Sequence, residues 1–190
     1  FFKCTQKQNG AWQAISETLG ARALTTTGIR LDFHTDSKKV TFNTETGAAF
    51  DLLIDGVIVK HFLTANDGKA LTYNLPEGES RVTFVFPSHG VGSLISVELD
   101  DGAYAKRHSF DSKILFMGDS ITQGHKSDYD SISYAYQTSF FFNADTVIQG
   151  IGGAVFHETT FDPEIKYDPD TVIIAYGTND FGWNKTLDSL

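Results

Sequence analysis

Three short apolar segments in the second half of the chain constrain the fold more than any other feature. They are residues 113–117, 146–148 and 171–176, and each is followed by a loop that contains glycine. Continuous apolar runs of this length are typical of parallel strands that are buried on both faces. Ligands bind beyond the carboxyl ends of the strands in a parallel α/β sheet. We therefore expect the three loops to meet in one crevice.

The first hundred or so residues show a different pattern. Apolar and polar residues alternate in short stretches separated by turn residues, which predicts antiparallel strands. One stretch, residues 50–54, is followed by Asp55-Gly56 and residues 57–59, a strong hairpin signal. Regular short spacing of such strands predicts a β-sandwich of jelly-roll type. Further strands are predicted at residues 28–34, 39–43, 71–75, 81–86 and 94–99.

These patterns predict a β plus α/β chain of two domains. An N-terminal, jelly-roll-like β-sandwich covers residues 1–108, and an incomplete doubly wound parallel α/β domain of flavodoxin-like type covers residues 109–190. Such a sheet has about five strands, and only three are found here. We therefore expect the remaining strands to lie outside this sequence.

Local signals add detail to the α/β part. Asp130 or Ser131 is expected to cap a helix that runs to about Phe142. Residues 163–167 are expected to form a helical turn. We expect Ile121 to anchor the turn after the first apolar run in the core.

Composition limits the partners of the chain. Its 24 acidic and 15 basic residues give a net charge of -9, so binding to nucleic acid or to an anionic membrane surface is not expected. No segment approaches the roughly 18 apolar residues of a membrane-spanning helix. The one cysteine, Cys4, cannot form a disulfide within these residues. No metal or cofactor is predicted, and the compartment and a homo-oligomer are left open.

Ser120 is the candidate nucleophile, because it follows the first buried strand in a Gly-Asp-Ser turn. A serine hydroxyl attacks well only when a base removes its proton. At a tight turn between strand and helix it is exposed, and its own N–H can point at a developing oxyanion. Gly118 permits the tight backbone. The alternative is that Ser120 only caps a helix.

The three loops together resemble the SGNH hydrolase superfamily, the GDSL-type esterases and lipases. Residues 116–124 resemble the nucleophile block, residues 150–154 the glycine block and residues 176–180 the Gly-x-Asn-Asp block. The resemblance spans about residues 112–183. It implies a carboxylic ester hydrolase that needs no cofactor and acts on a small-molecule or glycan acyl ester, with acetyl esters of carbohydrates foremost.

The resemblance also implies roles for single residues. Ser120 would be the nucleophile, and the oxyanion donors would be its own N–H, the Gly153 N–H and the Asn179 side-chain amide. Gly152 and Gly150 stay open as alternatives to Gly153, as does a turn-forming role for the glycines and for Asn179. Four further residues are expected to organise the loops: Gly118, Asp119, Gly177 and Asp180.

The family's base lies in a late Asp-x-x-His block. Only eleven residues follow Asn179, and none is histidine, so we expect the catalytic His and Asp outside this sequence and the fragment alone to be inactive. His125 and His157 are retained as weaker candidates for the base or for the rim of the crevice. Surface or turn roles are expected of His34, His61, His89 and His108.

The N-terminal part shows a less specific resemblance. Residues 28–37 and 75–82 are similar to the β-sandwich that precedes the catalytic domain in some bacterial GDSL-type carbohydrate esterases and acyltransferases. Two other functions therefore stay open. One is a GDSL-type acyltransferase that uses the same acyl-enzyme. The other is a non-catalytic module that binds a glycan or protein and carries a remnant hydrolase domain.

Overall fold

A computed structural model describes residues 5–8, 11–14, 27–45, 48–88, 92–156 and 167–182. The chain folds into two compact units. The β-rich unit holds Ile29–Ser109 and Tyr129–Ser131, and the α/β unit holds Phe1–Gly28, Phe110–Asp128 and Ile132–Leu190. The domain division at residue 108 stays a prediction.

Most described strands belong to the β-rich unit. An antiparallel hairpin of β1 (Thr5–Gln8) and β2 (Ala11–Ala14) precedes it in the chain. The unit itself contains β3 (Arg30–Thr35), β4 (Lys39–Thr44), β5 (Ala49–Ile54), β6 (Val57–Leu63), α1 (Thr64–Asp67), β7 (Ala70–Asn74), β8 (Ser80–Val85), β9 (Leu94–Leu99) and β10 (Lys106–Arg107). The strands form two antiparallel sheets in the orders β10-β3-β8-β5-β6 and β7-β4-β9.

One apolar cluster draws on both sheets of the β-rich unit, because alternate residues of each strand face it. Phe42 of β4 stacks on Phe84 of β8 with ring centroids 4.0 Å apart, and Phe50 of β5 stacks on Phe84 at 4.9 Å. β4 and β8 lie in different sheets, so these rings join the two layers. The jelly-roll connectivity stays a prediction.

The Asp55-Gly56 signal is confirmed as the turn between β5 and β6. Both residues have positive φ, 51° at Asp55 and 81° at Gly56. Positive φ at both central positions defines the type I′ turn, whose twist matches that of the flanking strands.

The described strands of the α/β unit form a parallel sheet. Its elements are β11 (Ser112–Gly118), α2 (Ser120–Gln123), α3 (Tyr134–Phe141), β12 (Ala144–Gly150), β13 (Thr171–Ala175) and α4 (Thr178–Gly182). The strand order is β12-β11-β13, with both pairings parallel. The predicted class, mixed β and parallel α/β, is confirmed at this level.

The three strands are not equally buried, however. β11 pairs on both sides, and its residues from Ile114 to Gly118 are buried. β13 is the edge of the described sheet, and Val172 and Ile174 are about half exposed. The third apolar run is therefore not buried on both faces in this sheet, where β13 has a neighbouring strand on one side only.

The start of α3 also differs from the prediction. The helix begins at Tyr134, and Ser133 is its N-cap, with its hydroxyl accepting a hydrogen bond from Tyr136 N–H. Asp130 and Ser131 instead lie in a short 3₁₀ helix, Asp130–Ile132. The expected helical turn at residues 163–167 falls almost wholly outside the described residues.

Hydrogen bonds within the β-rich unit explain why the cap lies later. The Asp130 carboxylate accepts hydrogen bonds from the N–H of Ser88, at 3.1 Å, and from its hydroxyl. The buried Asp51 carboxylate accepts one from Ser131 N–H at 2.8 Å and another from His61 Nδ1 at 2.6 Å. The Asp130 carboxylate is therefore engaged with Ser88 and does not cap α3.

Candidate active site

The three predicted loops leave one edge of the parallel sheet at the same level. Gly118, the last residue of β11, lies opposite Gly150 of β12 and Ala175 of β13. The candidate residues Ser120, Gly153 and Asn179 follow these strand ends within two to four positions. Neighbouring parallel strands thus carry the three loops side by side.

The first loop turns sharply into α2. Asp119 is the N-cap, and its buried carboxylate accepts a hydrogen bond from Ile121 N–H at 2.9 Å. Ser120 opens the helix and is half-buried. Gly124 ends the helix in the left-handed conformation, with φ 101°, which glycine adopts without steric cost. The Asp119 carboxylate thus caps α2, and its supporting role in a catalytic site stays a prediction.

Packing fixes α2 against the sheet on two sides. A Cβ on Gly118 would lie 2.0 Å from Thr122 Oγ1, and a Cβ on Gly150 would lie 2.1 Å from Gln123 N. Both positions need glycine because the helix approaches so closely. Thr122 and Gln123 are buried, whereas Ile121 is 53% exposed. The expectation that Ile121 anchors the turn is wrong, and Thr122 takes that place.

The second loop is a tight turn from Ile151 to Ala154. Ile151 N–H donates to Gly118 C=O at 3.1 Å, and Ala154 N–H donates to Ile151 C=O at 3.0 Å. Gly153 has φ 75°, the conformation that a type II turn requires at its third residue. Within the described residues, the N–H groups of Gly152 and Gly153 have no hydrogen-bond partner.

The third loop is tied to the second through its Asn-Asp pair. Asn179 Nδ2 donates to Ala154 C=O at 2.8 Å, and Asp180 Oδ1 accepts from Phe156 N–H at 2.9 Å. A primary amide has two N–H donors, so Asn179 retains one. Gly177 precedes α4 with φ 125°, and its C=O accepts from Phe181 N–H at 2.9 Å.

Residues 116–190 match the family model of the GDSL-like lipases and acylhydrolases. We call these residues the GDSL-type segment, after the family that they match. The family match spans all three loops, which carry the residues singled out from the sequence. The sequence matches none of the curated proteins.

Solved structures with similar folds include esterases and an acyltransferase. The salicylyl-acyltransferase SsfX3 from a tetracycline biosynthetic pathway matches with a TM-score of 0.72 and 19% identity, covering 97% of this chain and 61% of that one. A family two carbohydrate esterase from Clostridium thermocellum, solved with cellohexaose, matches with a TM-score of 0.61, 22% identity, and coverages of 82% and 61%. An acetyl xylan esterase from Butyrivibrio proteoclasticus matches with a TM-score of 0.63, 16% identity, and coverages of 83% and 58%. At these identities the likeness shows the fold, and the chain spans about three fifths of each structure.

Tyr134 is a residue of the GDSL-type segment that sequence reasoning missed. Its hydroxyl lies 2.8 Å from Thr122 Oγ1, and its ring meets Phe116 edge-on with centroids 5.9 Å apart. Burial raises the pKa of the Tyr134 phenol, the hydrogen bond with Thr122 lowers it, and the charge of Asp119 raises it further. Tyr134 lies twelve positions after Thr122, and no local pattern signals such a contact.

The four described histidines are divided between the GDSL-type segment and the β-rich unit. In the GDSL-type segment, His125 is exposed directly after α2, and its backbone N–H donates to Ser120 C=O at 2.8 Å. His34 Nε2 lies 2.8 Å from His108 Nδ1 in the β-rich unit, where His61 is bound to Asp51. The remaining two, His89 and His157, lie outside the described residues.

Two kinds of feature are missing from the part of the chain that the structure describes. It contains no group of three or more histidine, cysteine, aspartate or glutamate residues that could hold a metal ion. Among its helices, none is long and apolar enough to cross a membrane.

Proposed function

We propose that this chain supplies the nucleophile and the oxyanion hole of a serine esterase of the GDSL type. Ser120 is the nucleophile, and the donors are Ser120 N–H, Gly153 N–H and the second N–H of the Asn179 amide. One observation carries this proposal. Gly118, Gly150 and Ala175 lie opposite one another at the ends of neighbouring strands, so the three loops leave the sheet at one edge.

The chemistry follows from these groups. Ser120 Oγ forms a bond to the ester carbonyl carbon while a base takes its proton. The carbonyl oxygen becomes an oxyanion, and each preorganised donor stabilises that state by about 3–4 kcal/mol. Collapse expels the alcohol, which takes up a proton, and leaves an acyl-enzyme. Water then releases the acid by the same steps.

The substrate we propose is an acetyl ester on a carbohydrate. Two similar folds support this choice, since one is named a carbohydrate esterase and was solved with a cello-oligosaccharide, and the other is named an acetyl xylan esterase. An acidic chain of net charge -9 is compatible with a neutral ester of this kind.

A fluorophosphonate probe tests the nucleophile. The complete protein that contains this sequence should gain one covalent adduct in intact mass spectrometry, and Ser120→Ala should abolish it. Ser127→Ala, a substitution seven positions along the same segment, should label like the wild type. Absence of an adduct on the complete protein would overturn the proposal and favour a non-catalytic binding module. Efficient ester turnover by residues 1–190 alone would place the base within them.

An acyltransferase is the second candidate, because the acyltransferase structure covers 97% of this chain whereas the two esterases cover 82% and 83%. Both activities share the acyl-enzyme and differ in which nucleophile reaches it. The ratio of transferred product to free acid, measured with an activated acetyl ester and an added sugar acceptor, separates them. Free acid as the main product at every acceptor concentration supports the hydrolase.

A further inference from the structure

The helix that carries Ser120 cannot hold its own position. α2 has four residues, and helices shorter than about 12 residues are marginal without tertiary support. Its place must therefore come from the groups packed against it. Gly118 and Gly150 supply close backbone contact, and these contacts prevent α2 from moving closer to the sheet.

A side chain of α3 makes a polar contact that holds α2 in place. Thr122 is fully buried, two positions after Ser120, and its Oγ1 lies 2.8 Å from the Tyr134 hydroxyl. The Tyr134 ring packs edge-on against Phe116, a buried residue of β11. One side chain at the start of α3 thus contacts both the strand before the nucleophile and the helix after it.

We propose that Tyr134 is a positioning residue for the nucleophile: its hydrogen bond with Thr122 fixes α2 and thereby the direction of Ser120. The proposal rests on the function proposed for Ser120. Tyr134 makes and breaks no bond in the reaction. Burial raises the pKa of the Tyr134 phenol above its ordinary value, which favours the neutral form that shares a hydrogen with Thr122.

The size of the effect follows from the contact. Losing one neutral hydrogen bond changes an equilibrium about fivefold. Displacing a reacting group by about 1 Å can cost about a hundredfold. We therefore expect Tyr134→Phe, which keeps the ring against Phe116, to slow Ser120 labelling by about tenfold.

The first arm of the test measures the labelling rate of the complete protein with a fluorophosphonate. Tyr134→Phe and Thr122→Val remove the two ends of the hydrogen bond, and the double variant should be no slower than either one, since both act through one contact. Thr122→Ser keeps the hydroxyl and should restore most of the rate. Tyr104→Phe, a phenol deletion in the β-rich unit, should label like the wild type.

The second arm of the test does not depend on a reaction at Ser120. Three backbone hydrogen bonds close α2 and its end, donated by the N–H groups of Gln123, Gly124 and His125. Hydrogen–deuterium exchange at these amides should be about fivefold faster in Tyr134→Phe, because losing one neutral hydrogen bond favours local opening. Circular dichroism and the free energy of unfolding should show that the variant still folds.

The outcomes separate the two proposals. Wild-type labelling and wild-type exchange in folded Tyr134→Phe would overturn the positioning role. A double variant whose losses add would also count against it, because two independent contacts would then be involved. If the wild type takes no adduct, the proposed function fails, while faster amide exchange in Tyr134→Phe would still support the role of Tyr134 in holding α2.

Discussion

Asn179 and Asp180 hold two backbone groups at and just after the end of the turn from Ile151 to Ala154. Asn179 binds the C=O of Ala154, and Asp180 binds the N–H of Phe156. The Gly-x-Asn-Asp pattern in the sequence identified both residues, but not their partners, because those partners lie on another loop. Asp180 thus links two loops, and its supporting role in a catalytic site stays a prediction.

Asp180→Ala should destabilise the protein more than Asp180→Asn. The alanine variant leaves Phe156 N–H without its acceptor, which costs about 1–3 kcal/mol. Asparagine keeps an oxygen at that position, and within the described residues the other Asp180 oxygen is buried without a partner. Urea unfolding of both variants measures the difference. Equal losses would show that the hydrogen bond to Phe156 is not what makes Asp180 stabilising.

Tyr104 and Glu79 should titrate as a linked pair in the β-rich unit. The Tyr104 hydroxyl donates to the Glu79 carboxylate, which raises the pKa of Tyr104 to about 12 and lowers that of Glu79. The stabilising effect on the phenol is present below its ordinary pKa of about 10 and is lost as the pH rises through about 12.

Ultraviolet titration of phenolate absorbance tests this pair. The difference between the wild type and Tyr104→Phe should report one tyrosine that ionises near pH 12. In Glu79→Gln that transition should move back toward about pH 10. A Tyr104 transition unchanged by Glu79→Gln would assign the shift to another cause.

At the scale of elements, local signals predicted well and long-range contacts did not. The Asp55-Gly56 turn needs only its own two backbone conformations, so the sequence shows it. Asp130 does not cap α3, because its carboxylate binds Ser88, which lies 42 residues earlier in the sequence. The burial of Thr122 instead of Ile121 depends on how α2 meets Gly118. No local pattern contains that information.

Gly150→Ala should displace α2 from the sheet. The added Cβ would meet backbone atoms of α2 at 2.1–2.6 Å, and backbone cannot move aside as a flexible side chain can. Overpacking of this kind costs about 1–3 kcal/mol. Urea unfolding should detect the loss, and Ser120 labelling should slow with it. Gly182→Ala is the matched control, since its Cβ would meet nothing within 4 Å.

At the scale of the whole molecule, the predicted mixed β and parallel α/β class is confirmed by the parallel sheet. It follows from continuous apolar runs in one part of the chain and alternating residues in the other. The partners of β13 and the pairings His34–His108 and Asp51–His61 could not be predicted, because each joins residues from separate strands or segments.

Acid should destabilise the β-rich unit. Hydrogen bonds lower the pKa of three of its carboxyls. Asp67 accepts one from Lys60, Glu79 accepts one from Tyr104, and Asp100 accepts one from the Lys38 backbone N–H. A lowered folded-state pKa stabilises the fold above the ordinary value, about 4, and this effect is lost as the pH falls through the folded pKa. Thermal unfolding from about pH 7 to about pH 3 should show the loss, and Asp100→Asn should reduce it. A flat profile would contradict this linkage.

The segment Tyr129–Ser131 has a consequence for how such proteins can be recombined. After α2, the three residues Tyr129–Ser131 belong to the β-rich unit, and α3 begins after them. A cut near residue 108 would separate this segment from Asp51 and Ser88, its hydrogen-bond partners. Chimaeras that exchange the first part of the chain should therefore inherit a mismatched loop next to α3, unless the two are exchanged together.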